Sequence, residues 1–215
     1  MNLGFDLLIV VLVLTNLRLL GASRLAPLIQ TVAFQGVALG LLPLLTEHSN
    51  PTLASALLNM TSVLLKGLVF PWLLFRALKV AAVKREVEPF VGYTASLFFG
   101  ILALAFGCWI VTRLPLPERG IPPHLLAAAI FTMLTGLFLI VTRRKALTQV
   151  AGYLVLENGI ATFGLVLVHH TFPLLVELGI LLDVFVAVFV MGIIIFHISR
   201  EFDHIDTDRL AVLKD

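Results

Sequence analysis

Residues 146–198 read ALTQVAGYLVLENGIATFGLVLVHHTFPLLVELGILLDVFVAVFVMGIIIFHI. This stretch contains two apolar runs, 146–168 and 173–198, separated by a short loop with two histidines. Each run exceeds the ~20 residues that an α-helix needs to cross the ~30 Å hydrocarbon layer of a bilayer. The stretch therefore predicts two membrane-spanning helices joined by a tight turn.

Both runs carry acidic residues well inside them. At ~1.5 Å of rise per residue, Glu157 lies ~16 Å and Asp183 ~15 Å from the start of its run, near the middle of the hydrocarbon layer. A charge at that depth costs roughly 2.5–3.5 kcal/mol on insertion scales, so such residues normally face protein or a water path. We expect a proton relay or ion site at this depth. The structural alternative is that Glu157 is a protonated acid that hydrogen-bonds a neighbouring helix.

Glu177 is less deeply placed, ~6 Å from the start of the last run. It is either a further residue of the proton relay or ion site, or an interfacial residue whose negative charge is stabilised by the dipole at the start of the helix. Because Glu177 and Asp183 are about 120° apart around a helix with a 3.6-residue period, they do not share a face.

The composition of the whole chain is that of a polytopic helical membrane protein. Of its 215 residues, 60% are hydrophobic and only 13% are charged, whereas soluble chains are ~25% charged. The mean hydropathy is +1.06. Seven spans are predicted, at 3–22, 25–46, 53–76, 91–113, 124–142, 146–168 and 173–198.

The distribution of Lys and Arg supports this count and sets an orientation, because basic residues collect on the cytoplasmic side. Most of the 15 lie in alternate loops and in the tail: Arg18, Arg24, Arg76, Lys79, Lys84, Arg85, Arg143, Arg144, Lys145, Arg200, Arg209 and Lys214. Arg113 and Arg119 fall on the opposite side, and Lys66 falls inside a span. The predicted fold is therefore all-α, with seven transmembrane helices, the N-terminus outside and the C-terminus cytoplasmic.

The predicted organisation has four parts. These are an N-terminal three-helix unit with a basic cytoplasmic loop (1–90), a connecting helix (91–114), a C-terminal three-helix unit (115–198) and a polar cytoplasmic tail (199–215). A weak internal repeat between the first and last three spans places Gln35 opposite Glu157. Chance similarity between apolar segments explains this repeat equally well.

Lys66 lies ~15 Å inside the cytoplasmic end of the third span. Its long side chain either snorkels to the interface or stays buried beside an acid such as Glu157 or Asp183. Pro71, in the same span, is expected to kink the helix or free a backbone carbonyl. In the sixth span, Gly152 and Gly159 lie on nearly one face and permit a neighbouring backbone to approach closely.

No cofactor and no catalytic centre are expected in this chain. Its single cysteine, Cys108, excludes an intrachain disulfide and a Cys-based zinc or iron–sulfur site. The six histidines lie at span ends or in the tail, which is unsuitable for a haem held between helices. Phosphate-binding loops and dinucleotide fingerprints are absent from the sequence. A net charge of +2 gives no reason to expect a nucleic-acid partner.

The last two spans contain the motifs GYLVLENG (152–159), VELGI (176–180) and DVFVAV (183–188), and the third span contains KGLVFP (66–71). The first three motifs, and more faintly the fourth, resemble component E of hydrogenase-4, a membrane-arm subunit of formate hydrogenlyase-type and related group 4 nickel–iron hydrogenases. Over its last three helices, component E is similar to the K subunit of complex I and the C subunit of multisubunit sodium/proton antiporters. In the K subunit, two buried glutamates belong to the axis that couples redox chemistry to proton movement. Glu157 matches the first by position; Asp183 matches the second more closely than Glu177, although it is an aspartate.

The resemblance implies a non-catalytic, multi-pass subunit of the bacterial or archaeal cytoplasmic membrane, surrounded by lipid. Its expected partners are antiporter-like membrane subunits, a membrane subunit like the H subunit of complex I and, through them, a hydrogenase-like arm carrying the nickel–iron and iron–sulfur centres. The expected function is a proton or sodium path through Glu157, Asp183, Lys66 and Glu177, coupled to redox chemistry in those partners. A purely structural scaffold, and a transporter or subunit of a multisubunit cation/proton antiporter, are the alternatives.

Overall fold

The structure is a computed structural model that describes residues 3–42, 53–80, 90–114 and 122–167, together with Gly192. The regular elements in these ranges are helices. In chain order they are α1 (Leu3–Leu20), α2 (Leu25–Gly40), α3 (Leu53–Leu64), a π-helical turn (Leu65–Val69), α4 (Phe70–Val80), α5 (Tyr93–Val111), α6 (Pro123–Thr142) and α7 (Ala146–Leu167). The predicted seventh span, 173–198, and the tail, 199–215, lie outside the described residues.

Within the described ranges, four helical segments are long and apolar enough to cross a membrane. They are Leu3–Leu20, Met60–Lys79, Tyr93–Val111 and Pro123–Thr142, and α2 is a shorter apolar helix. The predicted all-helical class is thus confirmed for the described residues, and candidate membrane spans are present among them. The count of seven spans and the orientation of the termini stay predictions, as does the division into four parts.

Most helices begin or end a few residues away from the bounds of the predicted spans. The largest difference is in α2, which ends at Gly40; residues 43–46 of the predicted span lie outside the described residues. Glycine is a poor helix former, and the N–H of Leu41 turns back to the carbonyl oxygens of Val37 and Leu39. The third span instead continues to Val80, four residues past its predicted end at Arg76.

The third span is one continuous helical rod with a wider turn in its middle. At the π turn the N–H of Phe70 donates to the carbonyl oxygen of Leu65, five residues earlier, in place of the usual four. Pro71 follows directly, and its ring nitrogen has no hydrogen to donate to the carbonyl oxygen of Gly67. The disturbance expected from Pro71 therefore takes the form of a π turn. Such turns are frequent at functional sites, and this one contains Lys66.

The helices pack around a central antiparallel pair, α6 and α7. Helices α1 and α5 pack on α6, and α2 packs on both α1 and α7. The rod formed by α3, the π turn and α4 packs on α2, and α4 also contacts α7. Among the described helices, α6, α2 and α4 therefore pack against α7, which carries Glu157.

Glycines permit α6 and α7 to pack backbone against backbone. A Cβ built on Gly136 would lie 2.7 Å from the carbonyl oxygen of Gly152. A Cβ on Gly159 would lie 2.6 Å from the backbone nitrogen of Met133. The close approach predicted at Gly152 and Gly159 is confirmed, and it holds the backbone of α7 firmly against α6.

Arg143 connects three helices at the end of the bundle where α1 and α6 terminate. From the sequence it is one of three basic residues in a loop, but the structure buries its side chain completely. Its Nη2 donates to the carbonyl oxygen of Leu20 at 2.8 Å, and its guanidinium lies 5.1 Å from the ring centroid of Tyr93. The last carbonyls of a helix lack helical donors and favour a cation, which explains why Arg143 is drawn inward.

Candidate functional site

Lys66 and Glu157 form an ion pair between the π turn and α7. The Nζ of Lys66 donates to Oε1 of Glu157 and, at 3.3 Å, to Oδ1 of Asn158. The side chain of Glu157 is 4% exposed and that of Lys66 is 11% exposed. Two of the four residues predicted for an ion path are thus in direct contact. The other two, Asp183 and Glu177, lie outside the described residues.

A glycine on α2 makes room for the lysine. A Cβ on Gly36 would lie 2.8 Å from the Cβ of Lys66, closer than real Cβ contacts, so only glycine permits this approach of α2 to the π turn. The neighbouring residue on α2, Gln35, is fully buried. It contacts Asn158, the residue that follows Glu157.

Asn158 links the ion pair to a row of buried polar side chains. Its Nδ2 donates to Oε1 of Gln35 at 3.4 Å. The Nε2 of Gln35 donates to Oδ1 of Asn16 at 3.0 Å, and the Nδ2 of Asn16 donates to Oγ1 of Thr132 at 2.8 Å. We refer to Asn158, Gln35, Asn16 and Thr132 as the amide chain.

Threonine hydroxyls tie this row to helix backbones. The hydroxyl of Thr132 donates to the carbonyl oxygen of Ala128 at 2.7 Å. The Nε2 of Gln35 donates a second hydrogen bond, at 3.1 Å, to the hydroxyl of Thr15. That hydroxyl in turn donates to the carbonyl oxygen of Val11 at 2.7 Å. Unpaired buried polar groups are costly, and here one connected network satisfies side chains from α1, α2, the π turn, α6 and α7.

Because the predicted site consists of charged residues inside apolar runs, it misses three uncharged members of the network: Gln35, Asn16 and Thr132. A usable signal exists, because Asn16 and Gln35 are uncharged amides that interrupt apolar segments. Such an amide needs a hydrogen-bonding partner and normally finds it on a neighbouring helix. The weak repeat places Gln35 opposite Glu157, whereas in the structure it contacts the next residue, Asn158.

The chemistry of this site is that of one carboxylate, one ammonium and neutral hydrogen-bonding groups. Among the described residues, no cluster of three or more His, Cys, Asp or Glu side chains could hold a metal ion. Cys108 is exposed on α5. The groups that are present can stabilise charge, and the carboxylate can bind and release a proton.

In the described residues, apolar helices packed around a buried ion pair define the class of protein: a helical protein with candidate membrane-spanning helices and a charged site between them. The chain belongs to the same family as the uncharacterized protein Rv0085 of Mycobacterium tuberculosis (strain ATCC 25618 / H37Rv). The two are 36% identical over 207 residues, which cover 95% of this chain and 93% of the mycobacterial protein.

Part of the chain is also similar to hydrogenase-4 component E. The identity is 37% over 115 residues with the Escherichia coli (strain K12) protein, which is 53% of this chain and 51% of component E. The Shigella flexneri protein of the same name gives the same figures. The chain thus matches component E over about half the length of each. No protein-family profile matches the chain, and no solved structure matches it.

Proposed function

We propose that this protein is a membrane-arm subunit of a hydrogenase-type complex related to complex I, in which the Lys66–Glu157 pair forms part of a proton or sodium path. The partial similarity to hydrogenase-4 component E supports the assignment to a hydrogenase-related membrane subunit. The observation that carries the proposed path is the ion pair itself, buried between apolar helices and joined to a polar network.

The energetics of the pair favour a functional role over a packing role. Removing two charges from water costs several kcal/mol per ion, and replacing a buried ion pair by apolar residues of similar volume is often neutral or stabilising by ~1–4 kcal/mol. A scaffold would therefore lose little by having Leu or Met at both positions. Charged residues inside a membrane instead commonly mark ion pathways and proton relays.

In the proposed mechanism, Glu157 exchanges a proton and so changes the charge of the site. Proton uptake converts the carboxylate to the acid, and the net charge of the pair rises from zero to +1. A unit charge about 10 Å away, at an effective dielectric constant of ~20, contributes ~1.7 kcal/mol. That is more than tenfold in the protonation equilibrium of a neighbouring group, which is enough to couple successive sites along a membrane arm.

The same proposal includes groups beyond the described residues. Asp183 and Glu177 are proposed as the further acids of the path, in keeping with their resemblance to the second glutamate of the K subunit. The proposed partners are antiporter-like membrane subunits, an H-subunit-like membrane subunit and a hydrogenase-like arm that carries the metal centres. The proposed location is the bacterial or archaeal cytoplasmic membrane.

The test is ion movement by the whole complex carrying Glu157→Gln in this subunit. Membrane vesicles containing the complex are assayed for substrate-driven acidification and for sodium uptake, with assembly checked by native electrophoresis. We expect the complex to assemble while coupled ion movement falls at least tenfold. The matched control is Asp6→Asn, the same change in the first turn of α1, which should leave ion movement at the wild-type level.

Other outcomes would point to the alternatives. Normal ion movement in Glu157→Gln, together with poor assembly of Glu157→Leu, would contradict the path and favour a scaffold. Ion flux by the purified chain alone in liposomes would contradict a role confined to a hydrogenase-type complex and favour a transporter.

A further inference from the structure

The hydrogen bonds that lead away from Lys66 all run in one direction. The ammonium donates to Asn158, Asn158 donates to Gln35, and Gln35 donates to Asn16. Asn16 then donates to Thr132, and the hydroxyl of Thr132 ends the series at the carbonyl oxygen of Ala128. At every link, the donor lies on the side nearer to Lys66.

This common direction has an electrostatic effect on the ammonium. Each amide in the row turns its oxygen, the negative end of its dipole, toward Lys66 and its nitrogen away. Hydrogen bonds in such a row polarise one another, and they are stronger in a low-dielectric interior than in water. The row therefore stabilises a positive charge at Nζ even without help from a carboxylate.

The same row is poorly suited to carrying protons. Amide groups of Asn and Gln are neutral, with a carbonyl acceptor and an NH₂ donor, and they do not ionise in the physiological pH range. Moving a proton through Asn158, Gln35 and Asn16 would require each to lose a proton from nitrogen. The amide chain thus differs in kind from Glu157, whose carboxyl group is ionisable.

We infer that Asn158, Gln35 and Asn16 are positioning residues that keep the Lys66 ammonium in place and charged when Glu157 takes up a proton. Lys66 is then a fixed charge, and Glu157 is the member of the pair whose charge changes. Each turnover adds one proton to the Glu157 carboxylate and later removes it, and no proton leaves Nζ. The inference deepens the proposed function, on which its second half, proton exchange at Glu157, rests.

Among the residues that the structure describes, the charged and titratable groups on the surrounding helices leave this role to the amide chain. Helices α2 and α3 carry no Asp, Glu, Lys, Arg or His, and α7 carries Glu157 and Tyr153. The remaining groups are Asp6 and Arg18 near the ends of α1, Arg76 and Lys79 on the second half of α4, and His124 at the start of α6. Within the described residues, Glu157 is thus the acid that faces Lys66, and the amides are the other groups positioned to stabilise its charge.

The charge of Lys66 can be read directly by ¹⁵N NMR of the full chain in lipid nanodiscs, labelled at the lysine side-chain nitrogens. An ammonium and a neutral amine differ in ¹⁵N shift and in the number of attached hydrogens. The Lys66 signal is assigned by its loss in Lys66→Arg. Glu157→Gln mimics the protonated acid, and we expect Lys66 to remain an ammonium at neutral pH in this variant.

Breaking the amide chain in this variant should then weaken the stabilisation of the Lys66 ammonium. In Glu157→Gln combined with Gln35→Leu, we expect the midpoint for deprotonation of Lys66 to fall by about one pH unit or more, a tenfold shift in the equilibrium. The matched control combines Glu157→Gln with Gln30→Leu, the same change at an exposed position of α2, and should show no shift. Loss of the ammonium in Glu157→Gln alone, or no effect of Gln35→Leu, would overturn the inference.

A gentler pair of variants covers the case in which Gln35→Leu does not fold. In the Glu157→Gln background, Thr132→Val is nearly isosteric and removes the acceptor for Asn16, whereas Thr132→Ser retains it. We expect a fall in the midpoint with Val and recovery with Ser. Equal midpoints for the two would contradict a chain that acts as one unit.

These readings separate this inference from the proposed function. If ion movement survives Glu157→Gln while Lys66 stays charged, the ion path is wrong and the anchoring of Lys66 is right. If ion movement is lost and Lys66 becomes a neutral amine in Glu157→Gln, the anchoring is wrong and the path is retained.

Discussion

Lys66 and Glu157 are 91 residues apart in the chain, and they form a buried ion pair in which Lys66 donates a hydrogen bond to Glu157. Their backbones are held very differently. Glu157 lies on α7 between Gly152 and Gly159, where α7 packs directly on the backbone of α6. Lys66 lies on a π turn, whose hydrogen bonding is less regular. If the pair opens during turnover, the lysine is the partner whose backbone can adjust.

Lys66→Met should destabilise the protein strongly. The change leaves a buried carboxylate without its counter-charge, which typically costs ~3–5 kcal/mol. Lys79→Met is the matched control, since Lys79 is exposed on α4 of the same rod, and its effect should be within ~0.5 kcal/mol. Stability is measured by unfolding of the purified protein in mixed micelles.

The double variant Lys66→Met with Glu157→Met sharpens this prediction. An apolar pair of similar volume needs no counter-charge, so it should recover most of the lost stability. A double variant as unstable as Lys66→Met alone would contradict the ion pair as the source of the loss.

Gly36→Ala should disturb the site without altering any charge. The added methyl would lie 2.8 Å from the Cβ of Lys66, so α2 and the π turn must separate, with a typical overpacking cost of ~1–3 kcal/mol. We expect reduced thermal stability and weaker coupled ion movement in the assembled complex. The same substitution at Gly92, where a Cβ would meet nothing within 4 Å, is the control. Equal effects of the two substitutions would argue against close packing at Lys66.

Arg143→Met should loosen the end of the bundle where α1, α5 and α6 meet. It removes the hydrogen bond to the carbonyl oxygen of Leu20, and leaving a buried group unpaired costs ~1–3 kcal/mol. Arg144 is exposed, so Arg144→Met should have a much smaller effect. Arg143→Lys should restore little, because an ammonium cannot reproduce the planar guanidinium beside Tyr93. The measurement is thermal unfolding in detergent, and full recovery with Lys would count against this geometry.

The sequence predicts the helical class and two members of the site, for a simple reason. Lys66 and Glu157 stand out because charge inside an apolar run is expensive, and the glycines of α7 stand out by their spacing. Gln35, Asn16 and Thr132 are uncharged, so their presence in a span is a weaker signal. Which helix each of them faces depends on packing that hydropathy does not specify.

Other features depend on tertiary context in the same way. Arg143 reads as a loop residue, and only the position of the end of α1 shows why it is buried. Pro71 predicts a local disturbance in the helix, but not that it takes the form of a wider turn around Lys66. The roles of Asp183 and Glu177 stay predictions.

The π turn gives a way to compare relatives of this chain. It accommodates one residue more than the α-helical turn that it replaces. In a homologue with a one-residue gap within 65–69, the rod would be uniformly α-helical, and side chains there would be rotated by up to about 100°. Such a homologue could retain an aligned lysine and a glutamate on α7 without bringing them together. A gap in this short segment would therefore distinguish chains that form the ion pair from chains that only share its residues.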